Sequence, residues 1–319
     1  MNAIPSISSQ IDEKIIFKLI DKHFSRLAPH YYKWINSWLI GAYKCFGDID
    51  KYIILIYIVN KDFIFFRKNG FIVNYDTFYD DKTLEVDKII ISDISKDLQI
   101  PKESVRRKIE ELEKADIIKR KSKKILINRT AIPLVQPNLT LKNMSVLLHE
   151  FNKILKEEDI VEVTYPAIEI SNSIKKNFSF VWYQFYKFLF IFTNRWRKEL
   201  GDLETFCIGV IVLLNAAENK SFRLKELTRK KYSASIQNSD ERGVNAMSIS
   251  DVTGIPRITV IRKLKYLIKR NILQINEKKL ITLNISGVAL DEIQELQNQN
   301  MRSLSNFIYR AFNQIKIII

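Results

Sequence analysis

Apolar residues recur every three or four positions through most of this chain, and that spacing predicts helices. The first helical stretch runs from Ile11 to Tyr43, with Ile15, Leu19, Trp34, Trp38 and Leu39 among its apolar positions. Asp48 is placed to cap a second helix, whose face includes Tyr52, Ile53, Ile56 and Val59. Residues 62 to 87 break the pattern with aromatics around Asn69-Gly70, a dipeptide that predicts a hairpin turn. A helix from about Thr140 to Lys156 then carries Leu141, Met144, Leu148, Phe151 and Leu155 on one side. The second half repeats the order. An aromatic helix over 174 to 199 precedes one over 202 to 217, and the polar stretch from Ser233 to Gly243 reads as a mobile loop. A long terminal helix capped by Ser286 ends the chain. Its apolar positions are Leu290, Ile293, Leu296, Met301, Leu304, Ile308, Ala311 and Ile315, spaced to suit a helix–helix seam. Two occupants of that seam stay open, its own domain or a second copy forming a homodimer.

Between these flanks a phrase occurs twice. Ile100-Pro101-Lys102-Glu103-Ser104-Val105-Arg106-Arg107-Lys108 returns 155 residues later as Ile255-Pro256-Arg257-Ile258-Thr259-Val260-Ile261-Arg262-Lys263. Aligned without gaps, 94–118 and 249–273 share 10 of 25 residues. Upstream, Gly47-Asp48-Ile49-Asp50 matches Gly201-Asp202-Leu203-Glu204 at an offset shifted by one. A period near half the chain indicates two duplicated domains rather than a solenoid of short repeats.

Each copy has the physics of a helix-turn-helix. Ile94 and Leu98 point a short helix inward, a turn brings Ile100 to the core, and Pro101 presets the first turn of the next helix. Val105, Ile109 and Leu112 bury one face of that helix, which leaves Lys102, Glu103, Ser104, Arg106 and Arg107 on the other. The second copy leaves Arg257, Ile258, Thr259, Ile261 and Arg262. Arginine at a helix start suits bidentate contact to guanine, and exposed Ile258 and Ile261 suit thymine methyls or, alternatively, a protein contact. Two short apolar strands follow in each copy, one pair around Lys121, Lys123 and Lys124 and the other around Lys278 and Lys279.

Charge sharpens the picture. The chain has 319 residues and a formal net charge of +15. Residues 102–129 hold eleven Lys/Arg against five Asp/Glu, and residues 256–284 hold eight against one, so the two segments carry +13 of the +15. Codon bias toward lysine would spread the excess more evenly. A localised basic surface points to an acidic polymer as partner.

The order of these elements resembles bacterial winged helix-turn-helix transcriptional regulators, and the flanking helices are most similar to the MarR-like group. The resemblance covers about 40 residues in each half. It implies a mainly α fold with small β-hairpin wings, built as two tandem duplicated winged helix-turn-helix domains with flanking helices. The boundaries drawn are 1–158 (motif about 89–128), a linker over 159–173, and 174–319 (motif about 248–284). It implies that the fifteen residues just named on the two helices and hairpins contact double-stranded DNA. One chain would then act as a fused pseudo-dimer reading two unlike half-sites about one DNA turn, roughly 34 Å, apart.

Other classes fare less well. A tandem winged-helix replication initiator shares the architecture, and a protein-interaction scaffold would not need basic helices in both copies. An enzyme is not expected: His23, His30 and His149 are scattered, and no phosphate loop, Cys-x-x-Cys or His-Glu-x-x-His pattern occurs. No cofactor or metal is expected either. Cys45 and Cys207 read as buried free thiols in a reducing cytoplasm, beside the nucleoid if DNA is the partner. Phe178 to Thr193 is too short for a membrane span and is interrupted by Gln184 and Lys187. The aromatics Trp182, Tyr183, Tyr186 and Trp196 are read as core or interface filling, with an effector pocket as the alternative.

Overall fold

The computed structural model describes residues 11–87, 90–121, 124–217, 227–237, 243–284 and 288–318, and the fold is mainly helical with two small antiparallel sheets. The predicted first helix is two. α1 (Glu13–Lys22) begins where Asp12 accepts from the Lys14 N–H, and α2 (Phe24–Phe46) follows a break at His23. α3 (Ile49–Lys68) starts at Asp48, whose side chain accepts from the Lys51 N–H at 3.0 Å. The expected hairpin at Asn69-Gly70 is not formed. Asn69 ends α3, its side-chain amide donating to the Phe65 carbonyl, and Gly70 turns the chain with φ at +71°. That dipeptide supports a positive φ, and such a residue serves a helix C-terminus as readily as a β-turn.

Next come α4 (Tyr75–Asp80), β1 (Thr83–Asp87), α5 (Ile91–Leu98), α6 (Lys102–Lys114), β2 (Ile118–Lys121), β3 (Lys124–Asn128) and α7 (Asn138–Glu157). β3 lies in the middle of its sheet. β1 pairs with it along Thr83↔Asn128 to Asp87↔Lys124, and β2 along Ile118↔Ile127 to Lys121↔Lys124. The second half runs α8 (Ala167–Lys176), α9 (Phe178–Leu200), α10 (Leu203–Ala217), α11 (Arg229–Gln237), α12 (Ala246–Thr253), α13 (Arg257–Lys269), β4 (Leu273–Ile275), β5 (Ile281–Leu283) and α14 (Val288–Ile318). A single bridge, Val244 to Ile281, stands beside β5 where β1 stands beside β3. The polar stretch read as a loop includes most of α11, and 238–242 lie outside the described residues.

Helix bounds recur with a shift of 154 or 155. α1 and α8 have ten residues each, and α2 and α9 have 23 each, offset by 154. α6 and α13 have thirteen each, offset by 155.

The halves interlock rather than sit side by side. α2 packs on α10 and α9 packs on α3, while α1 lies against α14 and α8 against α7. Asn306 donates to Glu13 at 2.8 Å, and the Ile11 N–H donates to Asn313 at 3.1 Å, pinning the start of the chain to its end. Near the centre Trp34 stacks on Phe188, the residue 154 positions later, with ring centroids 5.7 Å apart. Phe307 of α14 stacks on the same indole at 5.3 Å. One continuous apolar core therefore crosses both halves. The stretch read as a linker, 159–173, holds most of α8, and Asn152 and His149 of α7 grip the Tyr165 backbone.

The seam on α14 is occupied within the chain: Met301, Leu304, Ile308 and Ala311 are buried, and α9 and α1 cover the helix. Ser286 and the side chains of Leu290 and Ile315 lie outside the described residues. Among those residues no single helix is long and apolar enough to cross a membrane. α9 and α10 reach that length only as a pair bent by 92°.

Candidate nucleic-acid interface

The two helix pairs are built alike. In the first, Ile94 and Leu98 are buried, Gln99 takes a left-handed φ of 52°, and the Ser95 hydroxyl donates to the Ile100 carbonyl at 2.7 Å. In the second, Ile249 and Thr253 are buried, Gly254 takes φ at 75°, and the Ser250 hydroxyl donates to the Ile255 carbonyl at 2.7 Å. Pro101 and Pro256 each stand one position before the helix with ψ at 136°. They end the turn in extended geometry rather than opening the helix as its first residue. Val105, Ile109 and Leu112, and likewise Val260, Leu264 and Leu267, face the core.

A buried lysine ties each second helix to the centre. Lys108 pairs with Asp48, the cap of α3, and Lys263 pairs with Asp202 at 2.5 Å, at the start of α10. Asp202 also accepts from the backbone N–H and hydroxyl of Thr205. Burial pushes its carboxyl up, but the hydrogen bonds from Lys263 and Thr205 outweigh that and hold it below the usual range. The starts of α3 and α10 meet, since the Ile49 N–H donates to Glu204 at 3.4 Å. Burial raises the Glu204 carboxyl at that meeting point. Each turn is also reached from the opposite half. Arg197 of α9 bonds Asp50 at 2.6 Å and the Leu98 carbonyl at 2.9 Å, and the Lys44 stem of α2 packs 3.5 Å from where Gly254 would carry a Cβ. Both second helices are thus anchored to one junction.

Their outer faces are largely exposed. Lys102, Glu103, Arg106 and Arg107 are exposed, and Ser104 is half-buried. Arg257, Ile258 and Arg262 are exposed, and Thr259 and Ile261 are half-buried. Lys121 and Lys124 are exposed on β2 and β3, where Lys124 pairs with Glu85 of β1, which raises the lysine's pKa. Lys278 and Lys279 are exposed on the β4–β5 turn. Lys123 lies outside the described residues.

The faces differ in chemistry. Along α6 one exposed stripe reads Glu103, Arg107, Glu110, Lys114, and along α13 the aligned stripe reads Ile258, Arg262, Lys265, Lys269. Arg106 donates to Glu103 at 2.9 Å, and Arg107 approaches Glu111 at 3.9 Å. α13 contains no acidic residue. Lys265 and Lys269 were not singled out from sequence, though they stand three and seven positions after Arg262, which places them on its face. Two lysines counted there as part of the basic surface, Lys108 and Lys263, are interior instead.

Trp182, Tyr186 and Trp196 are buried core residues, and Tyr183 stacks under Arg67. A cavity of about 130 Å³ lies beside Gly209, Trp196 and Leu267, and its counterpart beside Leu55 and Tyr186 holds about 50 Å³. No cluster of metal-ligating side chains occurs among the described residues. Compared with known proteins, the chain matches no family model, no curated protein and no solved structure.

Proposed function

We propose that this chain is a sequence-specific double-stranded-DNA-binding protein of the bacterial transcriptional-regulator kind. In this reading it carries two tandem winged helix-turn-helix units and works as an intramolecular pseudo-dimer. The observation that carries the reading is the paired presentation of α6 and α13. α13 shows an exposed cationic face, α6 shows a mixed face carrying Lys102, Arg106 and Arg107, each helix stands beside a lysine-bearing hairpin, and each is anchored through a buried lysine to the junction of α3 and α10. Two reading helices held by one core have a set spacing, and that is what engaging two half-sites on one duplex face requires. The hairpins would lie along the phosphates, and the helices would meet base edges in successive major grooves.

The test is selection from a random duplex library with the whole protein, followed by footprinting. Two half-sites one helical turn apart are expected. A footprint confined to one half-turn would refute the pseudo-dimer. Arg107→Ala and Arg262→Ala are each expected to weaken binding to the selected site by about 1–3 kcal/mol. DNA recovered with the protein from cells is expected to map to promoters. Recovery from a single origin would move the role to replication initiation.

A further inference from the structure

Position for position, the starts of α6 and α13 present opposite chemistry. Glu103 and Ile258 are each the second residue of their helix and align at the 155-residue offset. The Glu103 side chain is 75% exposed, and Ile258 is 84% exposed. One turn on, Arg106 aligns with Ile261. In α6 these two positions form a carboxylate–guanidinium pair at 2.9 Å, and in α13 they form an aliphatic pair. An exposed isoleucine carries no argument by itself, because folded surfaces hold many apolar atoms. Its position does. It stands at the outer end of a helix whose inner face is packed and whose other exposed residues are the cations Arg257, Arg262, Lys265 and Lys269 together with Tyr266.

Resting on the DNA-binding reading above, we infer that the two half-sites differ at the equivalent base pair, with cytosine facing Glu103 and thymine facing Ile258. A carboxylate accepts a hydrogen bond from the cytosine N4 amine, and the neighbouring Arg106 donates to guanine O6 and N7. A carboxylate offers nothing to the thymine methyl. An isoleucine accepts no hydrogen bond but covers that methyl, and Ile261 covers a second one a step away. The operator is therefore asymmetric, with a G·C-containing half under α6 and a thymine-bearing half under α13. Lys265 and Lys269, which continue the stripe beyond Arg262, supply the stronger phosphate attraction at the second half.

The experiment uses the full chain and the duplex selected above. Replacing thymine by deoxyuridine under α13 removes only the 5-methyl group. It is expected to weaken binding of the native protein about 3- to 5-fold, the worth of one buried methyl. It is expected to leave Ile258→Ala unchanged. Glu103→Ala is expected to lose a cytosine preference of about 5- to 100-fold at the facing position, with no change under α13. Both side chains are exposed, so both variants are expected to melt with the native protein. A symmetric selected site, or equal binding of thymine and deoxyuridine duplexes, overturns this inference and leaves duplex binding standing. Failure to bind duplex DNA at low salt overturns the underlying reading as well.

Discussion

Lys108 and Lys263 show how a residue's role departs from its charge. Both belong to the basic segments, yet each is buried and paired with the aspartate at the start of a neighbouring helix. Removing the aspartate strips a cap and leaves a buried ammonium, so Asp202→Ala is expected to lower stability by about 2 kcal/mol, discounted because Asp202 is part-exposed. Asp202→Asn keeps the cap and is expected to lose less, and urea unfolding separates the two. Because its folded pKa is depressed, the stabilisation from Asp202 is present above about pH 4 and is lost as pH falls through the lower folded value. Asp62 has the opposite sign. Burial raises its carboxyl to about 6, against the opposing pull of Arg129. Its folded form holds the proton longer than the unfolded chain, so stability falls as pH rises from about 4 to 6. Asp62→Asn is expected to raise the melting temperature at pH 7.5 by the equivalent of about 1 kcal/mol after solvent screening, and to flatten that stretch of the stability–pH curve. Neither role was visible in the sequence, because the partners are tens of residues apart.

At the scale of elements, the two turns before α6 and α13 make a controlled comparison. Gly254 holds the left-handed position in one and Gln99 in the other. A side chain in that conformation costs roughly 1 kcal/mol. Gln99→Gly is therefore expected to stabilise the protein by up to that amount and Gly254→Ala to destabilise it, with equilibrium unfolding as the measurement. Gly209 differs, since it lies inside α10 with helical geometry. A Cβ there would meet Leu267 at an ordinary 3.8 Å, so Gly209→Ala is expected to add about 1 kcal/mol. Most helices were legible from sequence, including α7, α10 and the capped start of α3. The errors have local causes. His23 breaks one helix without a proline or glycine to announce it, and Asn69-Gly70 closes a helix instead of a hairpin. β1 was missed because Thr83–Asp87 gains its partner, β3, only from about forty residues later.

For the whole molecule the interlocked halves carry a consequence for folding. α1 needs α14 and α8 needs α7, so neither half can cover its own apolar faces. Residues 1–158 and 174–319 expressed separately are expected to be unfolded or aggregated, whereas the full chain is expected to unfold in one transition by calorimetry and circular dichroism. Two separate transitions would show that the halves are independent. If the chain binds DNA, affinity should fall steeply with salt. Lys265→Ala combined with Lys269→Ala should then reduce the log–log slope by about 2. Net charge alone foretells only an acidic partner, and the slope reports how many of the cations reach phosphate.

By itself the sequence determined the repeat, the helical periodicity, the placement of excess charge and the unlike residues on the two aligned helix faces. Those are properties of residue identity and short-range spacing, which survive without a fold. Only the tertiary structure decided that α2 crosses to α10 and α9 to α3, that α14 closes against α1 of its own chain, and that two of the repeated lysines are internal anchors. The physical reason is that an apolar helix face specifies that it must be covered but not by which helix. That choice is made by the shape of the whole core, where residues more than 150 positions apart, such as Trp34 and Phe188, come into stacking contact.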